Sequence, residues 1–201
     1  MPTIFDELLA TFRAVWERID HAPVRDAVSR IDWRMPVRPL APSALPALRH
    51  LDGLAGLAMP AARPLAGLLA GRRDAYRWGQ TYTAADFGQG FIDNYGWLEV
   101  FGTRGHFVNE GLAAGVLLLG PHVVYPDHHH IAEEFYIPLT AGTEWRMGNE
   151  AFRPRAAGEV IHHASNVGHA MRTGDAPLLA AYLWRGGPLD QKSTIAATGG
   201  N

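Results

Sequence analysis

The stretch Tyr125-Pro126-Asp127-His128-His129-His130-Ile131-Ala132-Glu133-Glu134-Phe135-Tyr136 decides the fold and the function that we predict for this chain. Read as one extended segment, it places four polar residues of the same parity on one face: His128, His130, Glu134 and Tyr136. Two imidazoles, one carboxylate and one phenolate are a suitable ligand set for a divalent transition metal. A histidine-rich surface turn that binds nothing is the alternative interpretation.

A second segment, Gly158 to Thr173, contains His162, His163 and His169. A metal held by one short hairpin usually needs a further ligand from elsewhere, and we expect His169 to supply it from a strand further downstream. Seven of the ten histidines lie between His122 and His169, which supports the metal-site hypothesis. His162 and His163 stay open between the core, the surface and a position just outside the metal ligands.

The composition indicates an ordinary globular protein of 201 residues, with 47% hydrophobic and 19% charged residues. A net charge of −2 gives no electrostatic reason to expect nucleic acid or an anionic membrane as a partner. The absence of cysteine excludes disulfides, zinc–thiolate sites and thiol nucleophiles. Neither a secretory signal nor an apolar membrane span is visible, so we predict a cytoplasmic protein.

The hydrophobic pattern predicts one structural unit with a helical region at residues 1–94 and a β-rich region at residues 95–201. Apolar residues recur at helical spacing from Ile4 to Ile19, and four prolines predict an irregular connection from Arg34 to Pro46. From Tyr95 onward, short apolar runs between turn residues predict an antiparallel sandwich or barrel, with a hairpin turn at Gly148-Asn149. We expect a loose tail from Ile195 to Asn201.

The order His-x-His-x3-Glu followed by a late histidine resembles the two characteristic motifs of the cupin superfamily. Residues 128–134 match the first motif, and the interval from Gly158 to His169 matches the second. The chain departs from the motifs at Ala164 and Asn166, where Pro and Gly are preferred, and in the longer interval before His128. The resemblance implies a double-stranded β-helix (jelly-roll) barrel, here preceded by several α-helices.

The wider pattern Tyr-x-x-His-x-His-x3-Glu-x-Tyr is similar to that of the cupin-type dimethylsulfoniopropionate lyases, in particular the DddQ type. Generic cupins do not require its two tyrosines, Tyr125 and Tyr136. The resemblance implies one divalent metal ion, such as iron, zinc or manganese, with four ligands: His130, Glu134, Tyr136 and His169. It also implies that Tyr136 acts as the base, and that Tyr125 and His128 lie beside the substrate carboxylate or serve as alternative proton acceptors.

This residue set suits the cleavage of dimethylsulfoniopropionate, a small zwitterion, by β-elimination to acrylate and dimethyl sulfide. The proton α to a carboxylate is very weakly acidic, so the base must be strong, and a phenolate near a metal qualifies. The sequence does not choose between the two tyrosines. A sulfonium favours an aromatic wall rather than a strong anion, which Trp184 or the segment from Trp78 to Tyr82 can supply.

Two other functions remain open at this stage. One is another metal-dependent cupin enzyme, such as a dioxygenase or an isomerase, and the other is a cupin-like binding module without catalysis. We expect a monomer or a homodimer in either case.

Overall fold

The computed structural model describes residues 3–195, and residues 3–94 contain short helices. They are α1 (Ile4–Trp16), α2 (Ala22–Ser29), α3 (Leu54–Leu57), α4 (Arg63–Arg72), α5 (Ala84–Phe87) and α6 (Gln89–Ile92), with 3-10 helices at Pro46–Leu51, Pro60–Ala62 and Arg73–Ala75. A capping box at Thr3 and Asp6 starts α1, because each side chain accepts a hydrogen bond from the other residue's backbone N–H. The irregular connection predicted after Arg34 is confirmed up to Leu45.

Residues 95–195 form the strands. They are β1 (Tyr95–Gly102), β2 (Phe107–Val108), β3 (Leu112–Leu119), β4 (Val124–His129), β5 (Glu133–Pro138), β6 (Thr143–Met147), β7 (Arg153–Arg155), β8 (Ile161–His163), β9 (His169–Thr173), β10 (Leu178–Arg185) and β11 (Thr194–Ile195). The predicted apolar runs lie in six of these strands, and Gly148, at φ +53°, sits in the predicted turn between β6 and β7. Strands β2 and β11 have two residues each, which is too short for an alternating hydrophobic pattern to predict them from the sequence.

Two sheets enclose the barrel interior. The first has the strand order β2-β1-β3-β10-β5-β8, and the second has the order β11-β4-β9-β6-β7. Pairing is antiparallel except between β1 and β2. The interior holds a continuous group of aromatic and aliphatic side chains that includes Tyr95, Tyr125, Tyr136, Trp145 and Tyr182. The prediction of a cupin-like barrel preceded by helices is confirmed.

The helices cover the outer face of the first sheet. Leu8 and Phe12 of α1 and Leu65 of α4 belong to the same buried cluster as outward-facing residues of the sheet such as Val116 and Leu183. This second layer explains why β3 and β10 are apolar on both faces instead of alternating. That residues 1–94 and 95–201 together form a single structural unit stays a prediction.

The prediction of a loose tail is wrong at its first residue. Ile195 pairs with His128 in β11, because β4 otherwise presents a free edge there. The remainder of the predicted tail, residues 196–201, lies outside the described residues. No helix within residues 3–195 combines the length and the apolarity that crossing a membrane requires.

Candidate metal centre and cavity

The polar residues of the 125–136 stretch meet across the barrel interior. Our prediction that they share one face of one extended segment is wrong, because the chain turns at residues 130–132 and passes from the second sheet to the first. His128 is on β4, whereas Glu134 and Tyr136 are on β5. All of them point inward because the two sheets face each other, so the side chains still converge.

Tyr125 joins this group through an irregularity in β4. In the register of β4 on β9, Tyr125 faces Met171 and His128 faces His169, so β4 has one extra residue between the two pairs. The extra residue turns Tyr125 onto the same face as His128 although their parity differs. The two rings stack with centroids 4.2 Å apart.

Three buried ligand atoms lie close enough together to hold a metal ion. They come from His130, Glu134 and His169 and lie within 4.8 Å of one another. The His130 Nε2–Glu134 Oε2 distance is 3.0 Å, and the His169 Nε2–Glu134 Oε2 distance is 3.4 Å. The side chains of these residues are at most 2% exposed, and His169 Nε2 has no hydrogen-bond partner among the described residues.

Backbone carbonyls select the tautomers of the histidines. The Nδ1–H group of His130 donates to the Ala132 oxygen at 2.8 Å, and that of His169 donates to the Val167 oxygen at 3.0 Å. His128 makes the same contact with the Pro126 oxygen at 2.8 Å. Because a carbonyl can only accept, Nδ1 carries a proton in each ring, and Nε2 is the nitrogen that can bind a metal. Metal-binding histidines are held in this way.

The contact between His130 and Glu134 requires a positive charge. Burial opposes the charged imidazole, but the Glu134 carboxylate raises the pKa of His130 above its ordinary value. Burial likewise opposes the carboxylate, yet His130 and the other histidines hold the pKa of Glu134 well below its usual range. Since Nδ1–H already donates to a carbonyl, Nε2 meets the carboxylate only through a second proton or through a cation that binds both. The donor set therefore fits a divalent metal.

The turn before β9 connects the two halves of the centre. Asn166 has a φ of +61°, and its N–H donates to the His130 carbonyl oxygen at 2.9 Å. Asparagine tolerates the left-handed region better than most residues, so it can replace the glycine that the cupin motif prefers here. Asn166 therefore allows the same turn as glycine, and His169 still lies within reach of His130 and Glu134.

Both tyrosines are buried beside the histidines. Burial raises the pKa of Tyr136 well above its ordinary value, and the Glu134 carboxylate raises it further. Burial raises the pKa of Tyr125 in the same way, and its hydroxyl donates to the Tyr82 hydroxyl at 3.1 Å. Either phenol therefore needs a nearby cation before it can act as a base near neutral pH.

A cavity of about 540 Å³, including its open mouth, adjoins this centre. Its walls come from both sheets and from the segment between β10 and β11, and they include Tyr95, Trp97, Glu99, Arg104, Tyr125, His128, Glu134, Tyr136, Tyr182, Trp184, Leu189, Gln191 and Ser193. Trp184, a sequence candidate for the sulfonium wall, lines it and donates Nε1–H to Glu134 Oε1 at 2.5 Å. Trp78, the other tryptophan candidate, instead packs in the helical layer.

Sequence reasoning missed the polar pair in this cavity, Glu99 and Arg104. Glu99 stands within the apolar run Trp97-Leu98-Glu99-Val100-Phe101, at the same parity as Trp97, so it faces the interior. A single charged residue at an inward position of a buried strand was the available signal.

The neighbouring histidines and glutamates divide between the two faces of the barrel wall. Glu133 faces outward and binds Arg185 and His162, and His129 is also only partly buried. His163 is fully buried opposite Glu134 on β8, and its ring stacks on His169 at 3.9 Å. His162 therefore lies at the surface, and His163 lies beside the candidate ligands Glu134 and His169.

Comparison with known proteins points to one family. Residues 23–180 match the model of the dimethylsulfoniopropionate lyase family. Dimethylsulfoniopropionate lyase DddQ of Ruegeria pomeroyi is 29% identical over 182 residues, which cover 90% of this chain and 89% of that protein. The crystal structure of this DddQ superposes with a TM-score of 0.87 at 27% identity over 98% of both chains. A crystal structure reported for the lyases RdDddP and RnDddQII gives a TM-score of 0.87 at 27% identity, covering 96% and 97% of the two chains.

Proposed function

Because the chain belongs to the dimethylsulfoniopropionate lyase family, we propose that it cleaves dimethylsulfoniopropionate to acrylate and dimethyl sulfide by β-elimination. The observation that carries this proposal is the convergence of His130, Glu134 and His169 next to a cavity that Glu134 and two buried phenols line. A generic cupin metal site needs the imidazoles and the carboxylate. An elimination additionally needs a strong base, which either phenol can supply once a nearby cation has favoured its phenolate form.

The ligand set that we propose consists of His130, Glu134, His169 and Tyr136. These residues would hold a divalent ion, which would supply a Lewis acid for the substrate carboxylate and would lower the pKa of an adjacent phenol. Iron, zinc and manganese all suit nitrogen and oxygen ligands of this kind.

The elimination moves one proton and three electron pairs, the first of which is the phenolate lone pair that forms the new O–H bond. The Tyr136 phenolate takes the proton from the carbon α to the carboxylate, and the C–H electrons form the carbon–carbon double bond. The bond between the β-carbon and sulfur breaks, and its electrons leave with neutral dimethyl sulfide. Tyr125 and His128, stacked on each other at the cavity wall, border the substrate carboxylate, with Tyr125 as the alternative base.

Headspace detection of dimethyl sulfide tests this function. Purified protein loaded with iron, zinc or manganese is given dimethylsulfoniopropionate in air and under nitrogen, with and without a chelator. We expect dimethyl sulfide and acrylate in equal amounts, loss of both with the chelator, and the same rate without oxygen. No release with any of the metals refutes the lyase assignment, and activity that requires oxygen indicates a dioxygenase instead.

A further inference from the structure

The cavity contains a buried carboxylate that the elimination does not use. The Glu99 side chain on β1 is 1% exposed and lines the cavity. Its Oε1 accepts a hydrogen bond from the Arg104 backbone N–H at 2.6 Å, and its Oε2 lies 3.3 Å from Arg104 Nε. Burying a carboxylate costs free energy even when it is paired, so a buried carboxylate at a cavity wall is a candidate for a functional role.

Two glycines make room for this carboxylate. Gly115 on β3 pairs with Glu99, and a Cβ there would lie 2.0 Å from the Leu98 carbonyl oxygen. Gly102, at φ +148°, leaves space that a Cβ would take, 2.5 Å from Glu99 Oε1. Larger residues at these positions would displace the strand or the carboxylate, so the local sequence keeps Glu99 at the cavity wall.

Glu99 and the metal centre lie along one line across the first sheet. In the strand registers, Glu99 faces Gly115, Gly115 faces Tyr182, and Tyr182 faces Tyr136. Tyr182 therefore lies between Glu99 and Tyr136 in the sheet. The cavity is lined at one end by His128 and Glu134 and at the other by Glu99.

At the end of the cavity formed by Glu99, the carboxylate is buried and its partner Arg104 is partly exposed to solvent. The Arg104 side chain is 37% exposed and lies over the Trp97 ring at 5.0 Å, whereas the Glu99 side chain is 1% exposed. The guanidinium is thus partly hydrated, and its charge is screened more than that of the carboxylate. Gln191 lines the same cavity, and its Oε1 is a buried acceptor without a partner in the described part of the chain. These oxygens and the aromatic rings favour a cation.

We propose that Glu99 is a specificity-determining residue that selects the cationic end of the substrate. This inference rests on the proposed function, because the carboxylate end is assigned to the histidine centre. Arg104 holds the Glu99 carboxylate in place and partly offsets its charge, and the remaining negative charge favours a sulfonium over an uncharged group.

A pair of unreactive ligands that differ in charge alone tests the proposal. The probes are the zwitterion 3-(trimethylammonio)propanoate, the cationic probe, and its isostere 4,4-dimethylpentanoate, which keeps the carboxylate but has an uncharged tert-butyl end, with Kd values measured by calorimetry on the metal-loaded protein. Three variants are compared with the wild type: Glu99→Gln, Arg104→Gln and Glu144→Gln. The last is the matched control, because Glu144 pairs with Arg172 outside the cavity.

The wild type is expected to prefer the cationic probe, and Glu99→Gln is expected to lower that preference about ten-fold. Glu144→Gln should leave the preference unchanged. Arg104→Gln keeps the hydrogen bond from the backbone N–H of residue 104 to Glu99 Oε1 but removes the guanidinium, so it should raise the preference for the cationic probe. If Glu99→Gln does not fold, the result for Arg104→Gln alone decides the test. A preference within about two-fold of the wild type in Glu99→Gln, or a fall in Arg104→Gln, overturns the proposal.

Binding of the probes does not depend on turnover, so the two proposals fail separately. Absence of dimethyl sulfide release refutes the lyase assignment whatever the probe preference is. Release of dimethyl sulfide together with an unchanged preference in Glu99→Gln refutes only the role of Glu99.

Discussion

The indole of Trp184 is expected to control metal affinity without touching the metal. Its Nε1–H donates to Glu134 Oε1 at 2.5 Å, while Glu134 Oε2 faces the histidines. The bond therefore fixes the orientation of the carboxylate that we propose as a ligand. Trp184→Phe removes this donor but keeps an aromatic ring beside His130, whose centroid lies 4.1 Å from that of Trp184.

The size of the effect follows from the charge on the acceptor. A hydrogen bond to a charged group contributes about 1.5–3 kcal/mol, and each 1.4 kcal/mol is about ten-fold in an equilibrium constant. Loss of an outer hydrogen bond to a metal ligand typically costs about 10–100-fold in affinity, which agrees. We therefore expect Trp184→Phe to weaken metal binding about 10–100-fold, with His130→Ala, which removes a proposed ligand, as the more severe comparison.

Competition with a chromophoric chelator measures this affinity for zinc or manganese. Trp97→Phe is the matched control, because Trp97 lines the same cavity but donates its Nε1–H to Thr81 Oγ1 at 3.0 Å. The reasoning is refuted if Trp184→Phe binds metal within about two-fold of the wild type, or if Trp97→Phe loses as much affinity.

Two further predictions concern a phenol and a buried imidazole. Tyr136→Phe should abolish release of dimethyl sulfide while the melting temperature stays near that of the wild type. The control is Tyr182→Phe, on the paired strand, which should retain most of the activity. Wild-type turnover in Tyr136→Phe would show that another residue is the base. His106, fully buried with a pKa lowered to about 4 by burial, should make folding less stable as the pH falls from its ordinary pKa of 6.5 towards 4, by up to about 3 kcal/mol. His106→Gln, which retains an acceptor for the Arg77 N–H, should flatten the urea-unfolding free energy over this pH range, and an unchanged pH dependence would contradict this.

The sequence predicted the barrel, the helical region and the convergent residues because local patterns encode them. Apolar runs between turn residues mark the strands, and the spacing of His130, Glu134 and His169 matches a family motif. The chain reversal at residues 130–132 was not recognised, because a run of polar residues reads equally well as one strand or as two. The inward placement of Tyr125 depends on a bulge in β4, whose register is set by pairing with β9, a contact distant in sequence.

Glu99 shows a different limit of sequence reasoning. A buried charge is stable only with its partners, and here they are the Arg104 backbone and guanidinium and the space left by Gly102 and Gly115. None of these contacts follows from periodicity, so Glu99 reads as an exception within an apolar strand. In the structure, Glu99 lines one end of the cavity.

The arrangement of charge also makes the Tyr136 phenol a poor base when no metal ion is bound. Within residues 3–195, Arg104 supplies the guanidinium that lines the cavity, and it is paired with Glu99, whereas Tyr136 lies beside the Glu134 carboxylate. Burial and this carboxylate both raise the pKa of Tyr136, so its phenol stays neutral near pH 7 unless a positive charge is added at the histidine centre. The residues that attract a metal therefore also suppress the base in the metal's absence. If the chain is the lyase that we propose, elimination should therefore depend on metal occupancy. A substitution that weakens metal binding, such as Trp184→Phe, should lower elimination activity at limiting metal, and saturating metal should restore it.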